Sequence, residues 1–400
     1  MKSAKLLLIL ALLMSIVPIK TLQCKPYNRN FSTVFSQLNS EEIGWHLQKI
    51  NINGAWEYSK GLVNITIAII DSGIDFNHPD LFNASWINDD EIANNTIDDD
   101  NNGYIDDKFG WDFVNNDTTP GPQAGDPIHW HATFIAGIVC GALDSSGIVG
   151  VAPNVKVMDL RVLNEENYQA TTLSGLGEAI KYAVDNGADV ISMSLQYYST
   201  SDSYRDDIIY AINHNIPVVS ITGNTWDGGR EYYSYPGAYS EVIAVGATDY
   251  YNHKADYSNY GDYIELVAPV GDDYNHLIRS SILDGSFSRG QGTSFAAPQV
   301  AGVIALMKSV NNNLTVENIR TILTDTALDL GEDGKDKYFG YGLLNAEEAV
   351  RVAGNFTSSK TPFSFQEILN VILSLSSISI AAIIALIVII RMRRKTNKIK

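Results

Sequence analysis

Four polar residues stand at the edges of apolar runs. Asp71 closes IAIID, His131 opens HATFIAGIV, Asn224 ends SITGN and Ser294 lies in GTSFAAP. A serine hydroxyl is a weak nucleophile at its free pKa. It attacks a carbonyl when an imidazole takes its proton, a carboxylate holds that imidazole, and hydrogen-bond donors meet the oxyanion. The four residues supply one of each group, the inventory of acyl transfer through a serine ester. Each also has a plainer reading. Ser294 is placed to cap a helix in which Phe295, Val300, Val303, Ile304 and Leu306 recur at helical spacing, with Pro298 tolerated in the first turn. Asp71 is placed to cap a turn. Spacing alone does not choose between His131 and His129, two residues earlier.

These residues need elements to hold them. The runs NITIAII, KVMDLRV, ADVISMSL, IPVVSIT, EVIAVGA and YIELVAP read as buried strands, and LSGLGEAIKYAVDNG and DSYRDDIIYAINHN read as helices ending near Gly or Asn. Strand, helix and strand in alternation predict an α/β fold, with a mostly parallel central sheet between helices on both faces. Ligands gather at the carboxyl ends of strands in such sheets, which is where Asp71 and Asn224 fall.

The segments DSGID, HPDL, HATFIAG, ITGN and GTSFAAPQVAG resemble the signature segments of the subtilisin-like serine proteases, in that family's Asp, His, Ser order. The likeness runs over residues 43–350 and takes in NGADVISMSL and YPGAYSEVIAVGA. It implies a three-layer subtilisin-like fold and a serine endopeptidase acting on peptide or protein substrates. Ser294 is then the nucleophile, His131 the base and later the acid, and Asp71 the group that orients His131. Asn224 and the Ser294 amide are the oxyanion donors. His131 is preferred over His129 by this alignment, with His129 a supporting or exposed residue.

The resemblance further implies that an extended substrate pairs beside Ser194, Leu195 and Gln196 and beside Gly223. Gln196, Tyr197 and Tyr198 stand where the family usually has small glycines, and bulk there narrows or reshapes the cleft. Ala132 and Val270 also replace glycines. Two further readings share the fold: a surface protein that binds peptides without turnover, and a hydrolase of esters or small peptides.

Residues 88–117 form an acidic insertion in which Asp98, Asp100 and Asn102 alternate before Gly103, followed by Asp106 and Asp107. Hard oxygen ligands spaced by two around a glycine turn resemble the first half of a Ca²⁺ loop, although Phe109 stands where an EF-hand has its closing Glu. The alternative is a solvated acidic loop. Calcium-binding insertions in some relatives favour Ca²⁺, with a stabilising role.

The ends give an address. Residues 1–23 read as a secretory signal, with a basic start and the apolar run LLLILALLMSIV. After a short segment, 24–42, comes the catalytic domain over 43–352, then a linker over 353–367. Only about twenty residues lie between the signal and that domain, too few for a propeptide with its own core. Residues 368–390 carry no charge, long enough for a transmembrane helix, and the six Lys and Arg of 391–400 favour the cytoplasmic side. The body is thereby expected outside a cell membrane, anchored by a single pass.

The formal charge is −18, and the two basic ends hold nine positive charges and no acids, so residues 24–390 carry −27. Such a body repels nucleic acid. Sequons at Asn30, Asn64, Asn83, Asn94, Asn116, Asn313 and Asn355 suit an exported surface. Of the two cysteines, Cys140 sits in FIAGIVCGAL and reads as core.

Overall fold

The structure is a computed structural model that describes residues 43–123, 129–163 and 173–357. In chain order its elements are α1 (Trp45–Lys49), α2 (Ile52–Trp56), β1 (Thr66–Asp71), β2 (Gly110–Asp112), α3 (His131–Cys140), β3 (Lys156–Arg161), α4 (Leu173–Asp185) and β4 (Val190–Met193). There follow α5 (Asp202–Asn213), β5 (Val218–Ile221), β6 (Ile243–Thr248), β7 (Leu266–Pro269), β8 (Ile278–Ile282), β9 (Ser286–Gly290), α6 (Ala297–Val310), α7 (Val316–Thr326) and α8 (Ala346–Asn355).

Buried β-branched runs with no polar face need cover on both sides, which parallel sheets receive from their crossover helices. Among the described residues, β1 to β7 form one sheet in the order β2-β3-β1-β4-β5-β6-β7, and every pair in it is parallel. Side-chain alternation splits each strand between two cores. Ile67, Ile69, Val219, Ile221 and Val245 pack with α3 and α6 on one face. Ala68, Ile70, Met158, Ile191 and Val218 pack with α4 and α5 on the other. The expected α/β architecture is therefore present, and all six expected strands form.

Helix α6 crosses the first core and is buried continuously from Ala297 to Lys308. α3 is buried along its whole length, as its uniformly apolar sequence requires. Cys140 closes α3 as a buried free cysteine, and burial pushes its thiol up to about 12, in keeping with a core role.

Three features depart from the sequence reading. The acidic insertion ends in a strand: β2 pairs with β3, and Asp112 on β2 binds Arg161 on β3 at 2.7 Å with both side chains buried. The antiparallel hairpin β8–β9 precedes Ser294 and packs on α3; its alternation was too short and polar to read as strands. Ser294 itself caps no α-helix. It lies in a single 3-10 turn, Thr293–Phe295, and the residue before α6 is Ala296, with no side-chain cap. The signal segment, residues 24–42, the linker from 358 onward, the 368–390 span and the basic tail lie outside the described residues. Among the described residues, no helix is long and apolar enough to cross a membrane.

Candidate active site

Asp71 is the last residue of β1 and shares the face of Ile67 and Ile69, the face that α3 covers. Alternation thus aims its carboxylate at the start of α3, where His131 is the first residue. His131 Nδ1 and Asp71 Oδ1 are 2.8 Å apart, with Asp71 1% exposed and the His131 side chain 11% exposed. The Ser72 amide donates to the same Oδ1 at 2.8 Å, and Ser72 Oγ accepts the Ala132 amide at 3.1 Å. The strand end and the helix start are therefore tied by backbone as well as by side chain.

The ends of β1, β4 and β5 are neighbours in the sheet, so the residues that follow them lie along one rim. Ser194, just past β4, donates its hydroxyl to the Ser294 carbonyl at 2.8 Å. Phe295, next to Ser294, packs on the His131 ring at a centroid distance of 5.8 Å and on Phe134 at 4.2 Å. These contacts fix the 3-10 turn between the imidazole and the β4 end. Among the described residues no hydrogen bond closes between Ser294 Oγ and His131; such bonds often tighten only when substrate is bound.

Asn224 follows β5. Its Oδ1 accepts from the Thr293 amide at 2.9 Å and the Thr293 hydroxyl at 3.0 Å. With its oxygen engaged twice, the carboxamide turns its Nδ2 donor the other way. Gly292, at φ +138°, has a backbone that L side chains rarely adopt; a Cβ there would stand 3.8 Å from Asn224 Nδ2 and 4.0 Å from the Ser294 amide nitrogen. Both donors thus flank one small space, kept open by the glycine. Gln196 and Gly223 also belong to this rim: Gln196 Oε1 accepts the Asn224 amide at 2.8 Å. Leu195 is buried and packs in the core with α4 and α5. His129 is half-buried, two residues before the imidazole that meets Asp71.

The sequence reading did not single out Thr293 or Ser72, and it read Phe295 only as part of the helix after Ser294, whereas Phe295 lies in the 3-10 turn before that helix. Thr293 carried a signal, since it adjoins Ser294 in GTS, but its partner lies 69 residues away. Asp159 was also unforeseen. It pairs in register with Ile69, its Oδ2 accepts the Ile74 amide, and its Oδ1 is buried without a partner. Burial, with Asp112 and Asp71 nearby, holds its carboxyl well above the usual range against the Ile74 bond and Arg161.

In the acidic insertion the structure regroups the expected ligands. Asp98 accepts the Asn102 and Gly103 amides, and Asp106 accepts the Asn95 and Thr96 amides, so both serve the loop backbone. Asp100, which also accepts the Asn102 amide, joins Asp107 and Glu91, whose two oxygens accept the Asp99, Asp100 and Asp106 amides; the three carboxylates have ligand oxygens within 4.8 Å of one another. Asn88 and Asn102 donate to Asp100 and Asp107, and the Tyr182 hydroxyl donates to Asp107 at 2.6 Å. Glu91 was missed because it lies outside the alternating Asp pattern, seven residues before Asp98.

The subtilase family model matches residues 63–342, more than half of the chain, and the chain belongs to the subtilase family, the S8 class of serine endopeptidases. It is 33% identical over 305 residues to thermitase of Thermoactinomyces vulgaris, covering 76% of this chain and 94% of thermitase. It is 35% identical over 297 residues to a thermophilic serine proteinase of Bacillus sp. (strain AK1), covering 74% of this chain and 64% of that protein. With halolysin of Haloferax mediterranei it shares 33% identity over 303 residues, 76% of this chain and 52% of halolysin.

Proposed function

We propose that this chain is a membrane-anchored serine endopeptidase that hydrolyses peptide bonds of extracellular peptide or protein substrates through an acyl-enzyme on Ser294. The observation that carries the reading is the buried 2.8 Å contact between His131 Nδ1 and Asp71 Oδ1, with Ser294 in a turn packed on the same ring through Phe295. With Nδ1–H held by Asp71, the Nε2 lone pair is free to accept the Ser294 proton as Oγ attacks the carbonyl. Asp71 stabilises the imidazolium that results. Asn224 Nδ2 and the Ser294 amide receive the oxyanion, and His131 then returns the proton to the leaving amine. Water attacks the acyl-enzyme by the same route in reverse.

Calcium fits the chemistry of the insertion, since Glu91 and Asp107 are buried carboxylates with Asp100 beside them, and hard oxygen donors suit that ion. Glu91, Asp100 and Asp107 would hold it, and bound Ca²⁺ would offset their mutual repulsion and stabilise the folded form. Anchoring rests on the uncharged run 368–390 and the basic residues behind it. The sequons at Asn64, Asn83, Asn94, Asn116, Asn313 and Asn355 are all exposed, in keeping with an exported body that carries glycans.

A fluorophosphonate probe on the full chain in detergent tests the reading. Wild type is expected to take the label covalently and Ser294→Ala to take none. Chelator is expected to lower the unfolding temperature, and Glu91→Gln to abolish that calcium effect. Folded wild type that takes no label would favour the peptide-binding reading.

A further inference from the structure

The ends of β4 and β5 are bridged by a side chain that acyl transfer itself does not use. Gln196 reaches from the β4 side to the β5 side, where its Oε1 accepts the Asn224 amide at 2.8 Å, while its Nε2 donates to the Tyr198 hydroxyl at 2.9 Å. The amide lies directly over Gly223. A Cβ added to that glycine would stand 2.8 Å from Gln196 Oε1 and 2.4 Å from Ser234 Oγ. Behind it the wall is closed. Tyr197 and Tyr235 exchange both backbone hydrogen bonds, at 2.7 and 2.9 Å, and Ser234 is fully buried. Tyr198 meets Tyr232 edge-on at 5.3 Å.

An acyl group on Ser294 sets where the substrate's side chain must go. Its carbonyl oxygen turns toward Asn224 Nδ2 and the Ser294 amide. The carbon that bears the neighbouring side chain is one bond from that carbonyl. Residues 194–196 are tied to Ser294 through the Ser194 hydroxyl and residues 223–224 carry Asn224, so we place that side chain between these two segments. Gln196 already spans this gap. A large side chain has to displace the carboxamide, which breaks its part-buried bond to the Asn224 amide and its exposed bond to the Tyr198 hydroxyl, and the lost space and the lost part-buried bond together discriminate against it.

We propose that Gln196 is the specificity-determining residue of the site, a carboxamide bar that admits Gly, Ala or Ser at the substrate residue bearing the scissile carbonyl and rejects large apolar and aromatic side chains. The assignment rests on the acyl-transfer reading above. It also gives Gln196 a second task, holding the backbone of the residue that meets the oxyanion.

Peptidyl p-nitroanilides that differ only in Ala or Phe at that position test it, with full-chain wild type, Gln196→Gly and Tyr198→Phe, and with fluorophosphonate labelling in parallel. Wild type is expected to cleave the Ala substrate with kcat/KM at least about tenfold above the Phe substrate. Gln196→Gly is expected to erase or reverse that ratio by raising the Phe value. Tyr198→Phe, which only frees the Nε2 end of the bar, is expected to move the ratio part of the way. A wild type that labels and prefers Phe overturns the assignment, as does a labelled Gln196→Gly enzyme that keeps the wild-type ratio. If Gln196→Gly does not fold, an unchanged ratio in Tyr198→Phe overturns it. Absence of label on folded wild type removes the acyl-transfer reading and this assignment together, whereas label with an unchanged ratio removes the assignment alone.

Discussion

Asn224 and Thr293 act as a pair, because Thr293 holds from behind the carboxamide that we propose as an oxyanion donor. Removing the donor with Asn224→Ala is expected to lower kcat by about 10²- to 10³-fold, the loss known for one such donor in subtilisin, with little change in KM. Thr293→Val removes one of the two bonds on Asn224 Oδ1 and leaves the amide bond in place. Its expected effect is smaller, about fivefold to tenfold in kcat, the worth of one neutral hydrogen bond. A rise in KM with kcat unchanged would assign Thr293 to substrate binding instead. The sequence displayed the proposed reacting groups because each sits at the edge of an apolar run, a local pattern. It hid the roles of Thr293, Ser72 and Phe295 because these are defined by partners far along the chain, and a hydroxyl or phenyl group has no signature of its own. The proposed calcium ligands fell between these cases. Alternating Asp residues marked the loop, but which carboxylates converge depends on how it folds back, and that brings in Glu91 and turns Asp98 and Asp106 onto the backbone.

Elements are held in register by polar groups buried at their ends. The turn after β1 carries Asp80, whose Oδ2 accepts the Ile148 amide at 2.8 Å and whose carbonyl accepts the Ala142 amide just past α3. Burial pushes the Asp80 carboxyl up to about 6; the Ile148 bond and Arg279 oppose the rise, and Asp144 adds to it. Folding therefore favours the protonated form. The stability this group contributes is full below the ordinary Asp value of 3.8 and is lost as pH rises through about 6. Asp80→Asn keeps an acceptor for Ile148 and stays neutral. It is expected to match wild type near pH 4 and to unfold at a higher temperature at pH 7, and a mutant less stable at pH 7 would refute this. The strands and helices themselves were legible, since buried β-branched runs and 3.6-residue periodicity are written in consecutive residues. β2 and the β8–β9 hairpin were not. GWD is too short for a pattern, and it becomes a strand because Asp112 and Arg161 meet in the interior.

For the whole molecule, the proposal predicts that the full chain partitions into detergent on phase separation while residues 24–360 remain in the aqueous phase; equal partition of the two would remove the anchor. The sheet carries a further consequence. Each of its pairs is parallel, so each is joined through a distant crossover, and closing such long loops before any contact rewards them makes folding slow. The same barrier, crossed from the other side, slows global opening. For an endopeptidase this matters more than for most enzymes, because every molecule that opens is food for its neighbours. Crowded together, copies of this chain would survive by the rarity of their unfolding events more than by the depth of their equilibrium stability, and their working lifetime would be set by self-digestion.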